Sequence, residues 1–202
     1  MKLYDNRFAP SPRRVRFFLA EKSLSIPSVV VDIATGAAQT PAFRQINPLG
    51  ELPVLELDDG SRLTESLAIC RYLESLHPEP NLLGLDAREA AEIEMWTLRL
   101  MFRLYVPTTQ VFRNTHNFWS GRIQQVPEFG EVMRKAVFEI HELLDGALAK
   151  QQYLAGERFT MADIVGFTSI DFGKPSNLRI GDAHPNLKRW YSEIGARPAA
   201  KA

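Results

Sequence analysis

The chain has 202 residues, enough for one large domain or two small ones around a sizeable core. Its 24 Lys+Arg balance 24 Asp+Glu, which argues against holding nucleic acid or an anionic membrane through bulk charge, although a local basic patch such as Arg13, Arg14 and Arg16 can still serve a small anion. The lone cysteine, Cys70, cannot form an internal disulfide, and neither a CxxC motif nor a Cys/His cluster suggests zinc. A reducing compartment is the natural reading. The N-terminus lacks the apolar run of a secretory signal and no apolar stretch is long enough for a bilayer span, so a cytoplasmic protein is expected.

Residues 2–4 form a short strand candidate, followed by a polar stretch with Pro10 and Pro12. Val15, Phe18 and Leu19 recur at helical spacing and predict an amphipathic helix over about residues 12–23. The compact β-branched run at 28–33 (SVVVDI) predicts a buried strand, and 53–57 (PVLEL) another. Asp58-Asp59-Gly60 is a hairpin signal, with the returning strand at 61–63. In residues 65–76, Ile69, Tyr72, Leu73 and Leu76 share one helical face. The order β-α-β, then β-β-α, implies a parallel pair joined by a right-handed crossover and an antiparallel hairpin capped by a helix. A mixed sheet of about four strands follows from that order.

Residues 77–87 (HPEPNLLGLDA) carry two prolines, a glycine and an asparagine, and read as a linker. Beyond them strand patterns disappear. Ala90, Ile93, Thr97, Leu100, Met101 and Leu104 keep a helical period until Pro107, which is expected to kink or stop that helix. Val132, Ala136, Val137, Ile140, Leu144 and Leu148 mark another helix, and residues 160–172 and 185–194 two more. The predicted organisation is an α/β module over 1–76 with a mixed four-stranded sheet, a linker over 77–87 and an all-helical domain over 88–202.

Four local motifs bear on chemistry. Ala9-Pro10-Ser11-Pro12 opens a helix, with serine as a candidate N-cap; a helix start also favours anions and lowers a thiol pKa. Leu52-Pro53 opens a strand, where proline is at home; a cis bond there would turn the N–H and C=O of Leu52 outward to an extended peptide ligand. Thr64-Glu65-Ser66 by itself reads as a helix cap; the functional alternative is a carboxylate and hydroxyl facing the ammonium and carboxylate of an amino-acid head group. Thr160-Met161-Ala162-Asp163 is a capping box that should nucleate a buried helix and carry no chemistry.

Together these residues resemble the glutathione S-transferase superfamily. PSPRRVRFFLAEKSL is similar to its first helix, FRQINPLGELPVLELDDGSRLTESLAICRYLE to the glutathione-binding half of its N-terminal domain, and YLAGERFTMADI to a helix start of its C-terminal domain. The resemblance covers nearly the whole chain in family order, and is greatest to the bacterial theta/beta/nu-like branches, whose catalytic position is Ser, Cys, Thr or Asn. It implies a thioredoxin-like N-terminal domain followed by a helical bundle, with glutathione as cosubstrate and no metal. By position it implies Ser11 as donor to the glutathione thiolate and Leu52, before a cis Pro53, as backbone partner of the cysteinyl part. It makes Glu65 and Ser66 the γ-glutamyl anchors and places Gln39 and Glu51 near the glycine end. Many relatives have Lys or Arg where this chain has Glu51, and Ala38 offers no charge; Arg13 or Arg14 is the candidate to compensate.

The electrophile pocket is expected on the kinked helix after the linker, facing the first domain, from Phe8, Tyr105, Phe112, His116, Phe118 and Trp119. The plain alternative for these aromatics is core packing, and for His116 a helix end. Cys70, among apolar residues, is expected to be buried. The implied activity is transfer of glutathione to small hydrophobic electrophiles in detoxification, by a homodimer with no nucleic-acid or membrane partner. Alternatives are glutathione-dependent disulfide or peroxide reduction on the same site, or a non-catalytic interaction protein, kept open by Glu51.

Overall fold

The computed structural model describes residues 1–202. The chain forms two compact units, Met1–Asn81 with Pro198–Ala202, and Leu82–Arg197.

The first unit contains β1 (Lys2–Asp5), α1 (Pro10–Glu21), β2 (Ser28–Val30), α2 (Pro41–Arg44), β3 (Val54–Glu56), β4 (Arg62–Thr64) and α3 (Ser66–Leu76). The sheet order is β2-β1-β3-β4, with β1 and β2 parallel and the other pairs antiparallel. This is the mixed four-stranded sheet that the element order implies. The β3–β4 hairpin closes through Leu57 N–H to Ser61 O (2.8 Å), with Gly60 at φ +82°. That positive φ is the reason glycine suits the turn.

Two burial expectations need correction. β2 is exposed at all three residues, and Val30 is 74 % exposed. As an edge strand it has one neighbour, and burial begins only at Val31, whose N–H bonds Asp5 O at 2.8 Å. β-branched content records fit to a pleat, not depth in the protein. On α3 the buried stripe is Ser66, Ile69, Cys70 and Leu73, while Leu76 is exposed. Those positions follow the i, i+3, i+4, i+7 rule, which rotates the face away from Leu76.

α1 buries Val15, Phe17, Phe18 and Leu19. Its end is tied to that of α3 by Lys22, whose Nζ meets the Glu74 carboxylate at 2.7 Å and the His77 and Pro80 carbonyls at 2.7 and 2.8 Å. Cys70 lies buried as expected, and burial pushes its thiol pKa up.

The second unit contains α4 (Ala87–Leu100), a π-helical turn (Met101–Tyr105), α5 (Val106–Thr115), α6 (Pro127–Leu148), α7 (Met161–Phe172) and α8 (Pro185–Ala196). Asp86 caps α4 by accepting from Arg88 N–H and Glu89 N–H, both at 2.9 Å. Pro107 neither stops nor simply breaks the helical run. It sits at the start of α5 without an N–H to give, and the turn before it widens so that Val106 N–H bonds Met101 O.

Every residue of α7 from Met161 to Ile170 is buried. Asp163, fully buried, accepts from Thr160 N–H (2.9 Å), Leu154 N–H (3.0 Å) and Trp190 Nε1–H (2.8 Å). Burial pushes its carboxyl pKa up to about 6 against those donors. The 160–163 box is thus structural, as its pattern predicts. No helix is long and apolar enough to cross a membrane.

Candidate functional site

Helix α1 begins at Pro10, and its N-cap is Ala9, which makes no side-chain cap. Ser11 therefore lies inside the first turn, not at the cap position expected of it. Pro10 and Pro12 remove two backbone donors from that turn, so Ser11, with its N–H and hydroxyl, is the residue there that can offer both kinds. One turn later, at i+3 and on the same face, stands Arg14. Its guanidinium is 1 % exposed, and Nη1–H donates to Ser66 Oγ at 2.9 Å. This bond brings the first turn of α1 against the first turn of α3.

Ser66 is buried, and its oxygen is occupied as an acceptor. Its own O–H is then oriented to donate elsewhere. The preceding Glu65 is the N-cap of α3 but makes no side-chain cap bond. Its backbone has φ 64° and ψ 114°, a region that costs a non-glycine residue of order 1–3 kcal/mol. Helix capping, the plain explanation of Thr64-Glu65-Ser66, therefore does not account for the glutamate. Its carboxylate is exposed and is presented at a conformational cost.

Across the sheet, Val54 pairs with Thr64, so Pro53 and Leu52 run out beside Glu65. The Leu52–Pro53 peptide is cis. The Leu52 N–H and C=O make no hydrogen bond within the chain. A free donor and acceptor on one extended residue is the feature an added peptide segment pairs with.

Gln39 Nε2–H donates to Gly50 O (2.9 Å) and Gln39 Oε1 accepts from Arg44 Nη2–H (2.6 Å). Both ends of its amide are thereby engaged as a brace. Glu51 is exposed, and its carbonyl accepts from Asn47 Nδ2–H at 2.8 Å. Of the two arginines considered for this end, Arg14 donates to Ser66 Oγ at 2.9 Å and Arg13 to Ala200 O at 3.1 Å. The cation on the 39–51 loop is Arg44, which sequence reasoning passed over. Its signal was present, since no other Lys or Arg lies between Lys22 and Arg62. Arg14 carried one too, a charge one position before Val15 and four before Phe18 in an apolar helical stripe.

Phe8 is 85 % exposed, on a turn braced by Phe8 N–H to Asn6 Oδ1 and Asn6 Nδ2–H to Val31 O. In the second unit, Tyr105 ends the π-helical turn and is half-buried. Phe112 packs against His116 (ring centroids 4.6 Å), Phe172 (5.1 Å) and Phe118 (6.0 Å), and Phe118 against Trp119 (5.2 Å). His116 Nδ1 accepts from Phe118 N–H at 3.1 Å, capping a 3₁₀ turn at Asn117–Trp119. That is the helix-end role weighed for it. No group of three or more His, Cys, Asp or Glu is arranged to hold a metal ion.

The family models for the glutathione S-transferase N-terminal domain and C-terminal domain match residues 8–76 and 98–198. Glutathione S-transferase 2 of Saccharomyces cerevisiae is 32 % identical over 206 residues, covering 100 % of this chain and 88 % of that protein. Glutathione S-transferase 3 of Zea mays is 32 % identical, covering 98 % and 90 %. Among solved structures, a glutathione S-transferase domain-containing protein from Marinobacter aquaeolei VT8 superposes with a TM-score of 0.95 at 33 % identity, covering 99 % of this chain and 100 % of that one. Gtt2 from Saccharomyces cerevisiae gives 0.94 at 32 % identity, covering 100 % and 99 %.

Proposed function

The chain belongs to the glutathione S-transferase family, and from that premise we propose that it binds reduced glutathione on the first unit and activates its thiolate to attack small hydrophobic electrophiles. The observation that carries this is the unused backbone pair of Leu52 beside the strained Glu65 and the Arg14-polarised Ser66. Leu52 pairs with the cysteinyl residue as an added strand would. Glu65 faces the γ-glutamyl ammonium, and Ser66 donates to its carboxylate.

Ser11 donates to the sulfur. A free thiol has a pKa of about 8.5, so only a few per cent is thiolate at neutral pH. A hydroxyl donor at a helix start stabilises the anion by roughly 1–3 kcal/mol, which lowers the pKa by one or two units. Much lower values would make it a poorer nucleophile. The bond formed is sulfur to the electrophilic carbon. The proton leaves the thiol before or during attack, and the leaving group departs with the electron pair it held.

Conjugation is favoured over reductive exchange by a serine at position 11 and by the complete burial of Cys70. For the electrophile, Phe8, Tyr105, Phe112 and His116 stay the candidates, and Phe8 is the one whose ring is fully presented. Exposed Met95, Leu98, Phe102, Val106 and Leu143 support a homodimer that covers them. Detoxification in the cytoplasm is the matching setting.

Calorimetric titration of reduced glutathione at neutral pH tests the reading, with one glutathione bound per chain expected. The Ser11→Ala variant should keep that binding and its fold while its rate with 1-chloro-2,4-dinitrobenzene falls ten-fold or more. Absence of binding at millimolar ligand would sink the assignment, and an undiminished rate in Ser11→Ala would remove the serine from its role.

A further inference from the structure

We propose that the first unit carries a second ligand site, behind α1, for a phosphate monoester borne on a planar ring. The site is a cavity of about 600 Å³ between Arg7 and Phe8 of the loop after β1, Arg13 and Arg16 of α1, Val30 of β2 and Lys201 of the last turn. With about 100° of rotation per helical residue, Arg13 and Arg16 each stand roughly 140–160° around α1 from Ser11. The cavity therefore opens on the far side of α1 from Ser11, and it stands independently of the glutathione site proposed above.

The walls are held by bonds that leave two charges unspent. Arg16 is engaged by the loop: its guanidinium pairs with the Asp5 carboxylate and donates to Asn6 O (3.2 Å) and Arg7 O (3.0 Å). Asn6 fixes the same loop by accepting from Phe8 N–H (3.0 Å) and donating to Val31 O (2.9 Å). Arg13 donates to Ala200 O at 3.1 Å, which ties the last turn to α1. Arg7 and Lys201 are exposed and enter no ion pair. Even with a carboxylate counted at Ala202 beside that of Asp5, the cations around the cavity outnumber the anions by four to two.

Two unpaired cations from separate chain segments suit one doubly charged group. A phosphate monoester has a second pKa of about 6 and carries close to two negative charges at neutral pH. The guanidinium offers it a fork of N–H donors and the ammonium a point charge. Beside those charges stand Phe8, 85 % exposed, and Val30, 74 % exposed. A flat ring stacked on Phe8 would cover that apolar surface, which bare phosphate would leave in water. The cavity is of the size that holds a small ligand, roughly 300–1,000 Å³.

Calorimetric titration at neutral pH with adenosine monophosphate, phenyl phosphate, adenosine and inorganic phosphate tests this. At least one of the two ring-bearing phosphates should bind about ten-fold or more tightly than adenosine or inorganic phosphate, and the tighter of the two identifies the ring. Arg7→Ala and Lys201→Ala should each weaken that ligand about ten-fold. Phe8→Ala should weaken it while leaving inorganic phosphate unchanged; the ring is also a candidate for the electrophile, so this variant is read on binding alone. Saturating glutathione should leave the affinity as it was. Failure of both ring-bearing phosphates to bind at millimolar concentration would overturn the proposal. So would inorganic phosphate binding as tightly as either, which would make the cavity a counter-ion site. Affinity undiminished in both cation variants, or displacement by glutathione, would overturn it too, by placing the ligand elsewhere.

Discussion

Glu65 holds φ 64° and ψ 114° with its side chain exposed and uninvolved in capping. Nothing in the fold of the first unit requires a side chain at that position; a glycine would take the same backbone conformation without the Cβ conflict. Glu65→Gly should therefore raise unfolding free energy by about 1 kcal/mol while glutathione affinity falls at least ten-fold. Urea unfolding and calorimetric titration on the same preparation check both halves, and a variant that kept its affinity would show the carboxylate to be idle. The position was legible in the sequence, since Thr64-Glu65-Ser66 stood out as a motif. Its strain was not, because capping explains the same three letters equally well. Arg14 and Arg44 were harder to read. Each acts through a partner far along the chain or across a loop, Ser66 in one case and Gln39 in the other, and only folding sets those distances.

Helix pairing in the second unit shows where local preference and packing disagree. α6 contains two glycines, and helix propensity alone says that alanine should stabilise both by up to about 1 kcal/mol. At Gly146 a Cβ would meet nothing within 4 Å, so Gly146→Ala is expected to stabilise by roughly 0.5–1 kcal/mol. At Gly130 a Cβ would lie 2.5 Å from Thr115 Cγ2 and 3.3 Å from Asn114 Cβ on α5. Thr115 cannot simply turn away, since its hydroxyl donates to Val111 O at 2.8 Å. Overpacking wins there, and Gly130→Ala should destabilise by about 1–3 kcal/mol. Thermal melts of the two variants should move in opposite directions; melts that rose together would mean that α5 yields to the methyl group. Elements of this kind were visible in outline. The 3.6-residue period found α4 and α6, the capping box found the start of α7, and the hairpin signal found β3 and β4, because those cues are local. The same cues could not tell an edge strand from a central one, as β2 shows, nor foresee that Pro107 would be met by a wider turn.

Over the whole second unit, α8 lies against two buried titratable groups whose pKa values burial shifts in opposite directions. On α7, Asp163 accepts from Trp190 Nε1–H of α8, and burial raises its pKa to about 6 from 3.8. On α6, His141 is 1 % exposed, neither ring nitrogen has a hydrogen-bond partner, and its ring lies 6.2 Å from that of His184 at the start of α8. Burial, with a smaller contribution from His184, lowers its pKa to about 4 from 6.5. The raised Asp163 value means that the native state holds the proton better than the unfolded chain. Its contribution is complete below pH 3.8 and is lost as pH rises through about 6. For His141 the unfolded chain takes the proton first, so stability is complete above pH 6.5 and drains away as pH falls towards 4. Between these limits the two slopes oppose each other, and the native protein should be less sensitive to pH than either group alone would make it. His141→Leu removes one slope and leaves the other. Relative to wild type, its unfolding free energy should gain about 2 kcal/mol on going from pH 7 to pH 5, since one pKa unit corresponds to about 1.4 kcal/mol. Urea unfolding at the two pH values measures this gain. Parallel curves for variant and wild type would mean that His141 finds a proton acceptor, or water, in the native state and titrates there as it does in the unfolded chain.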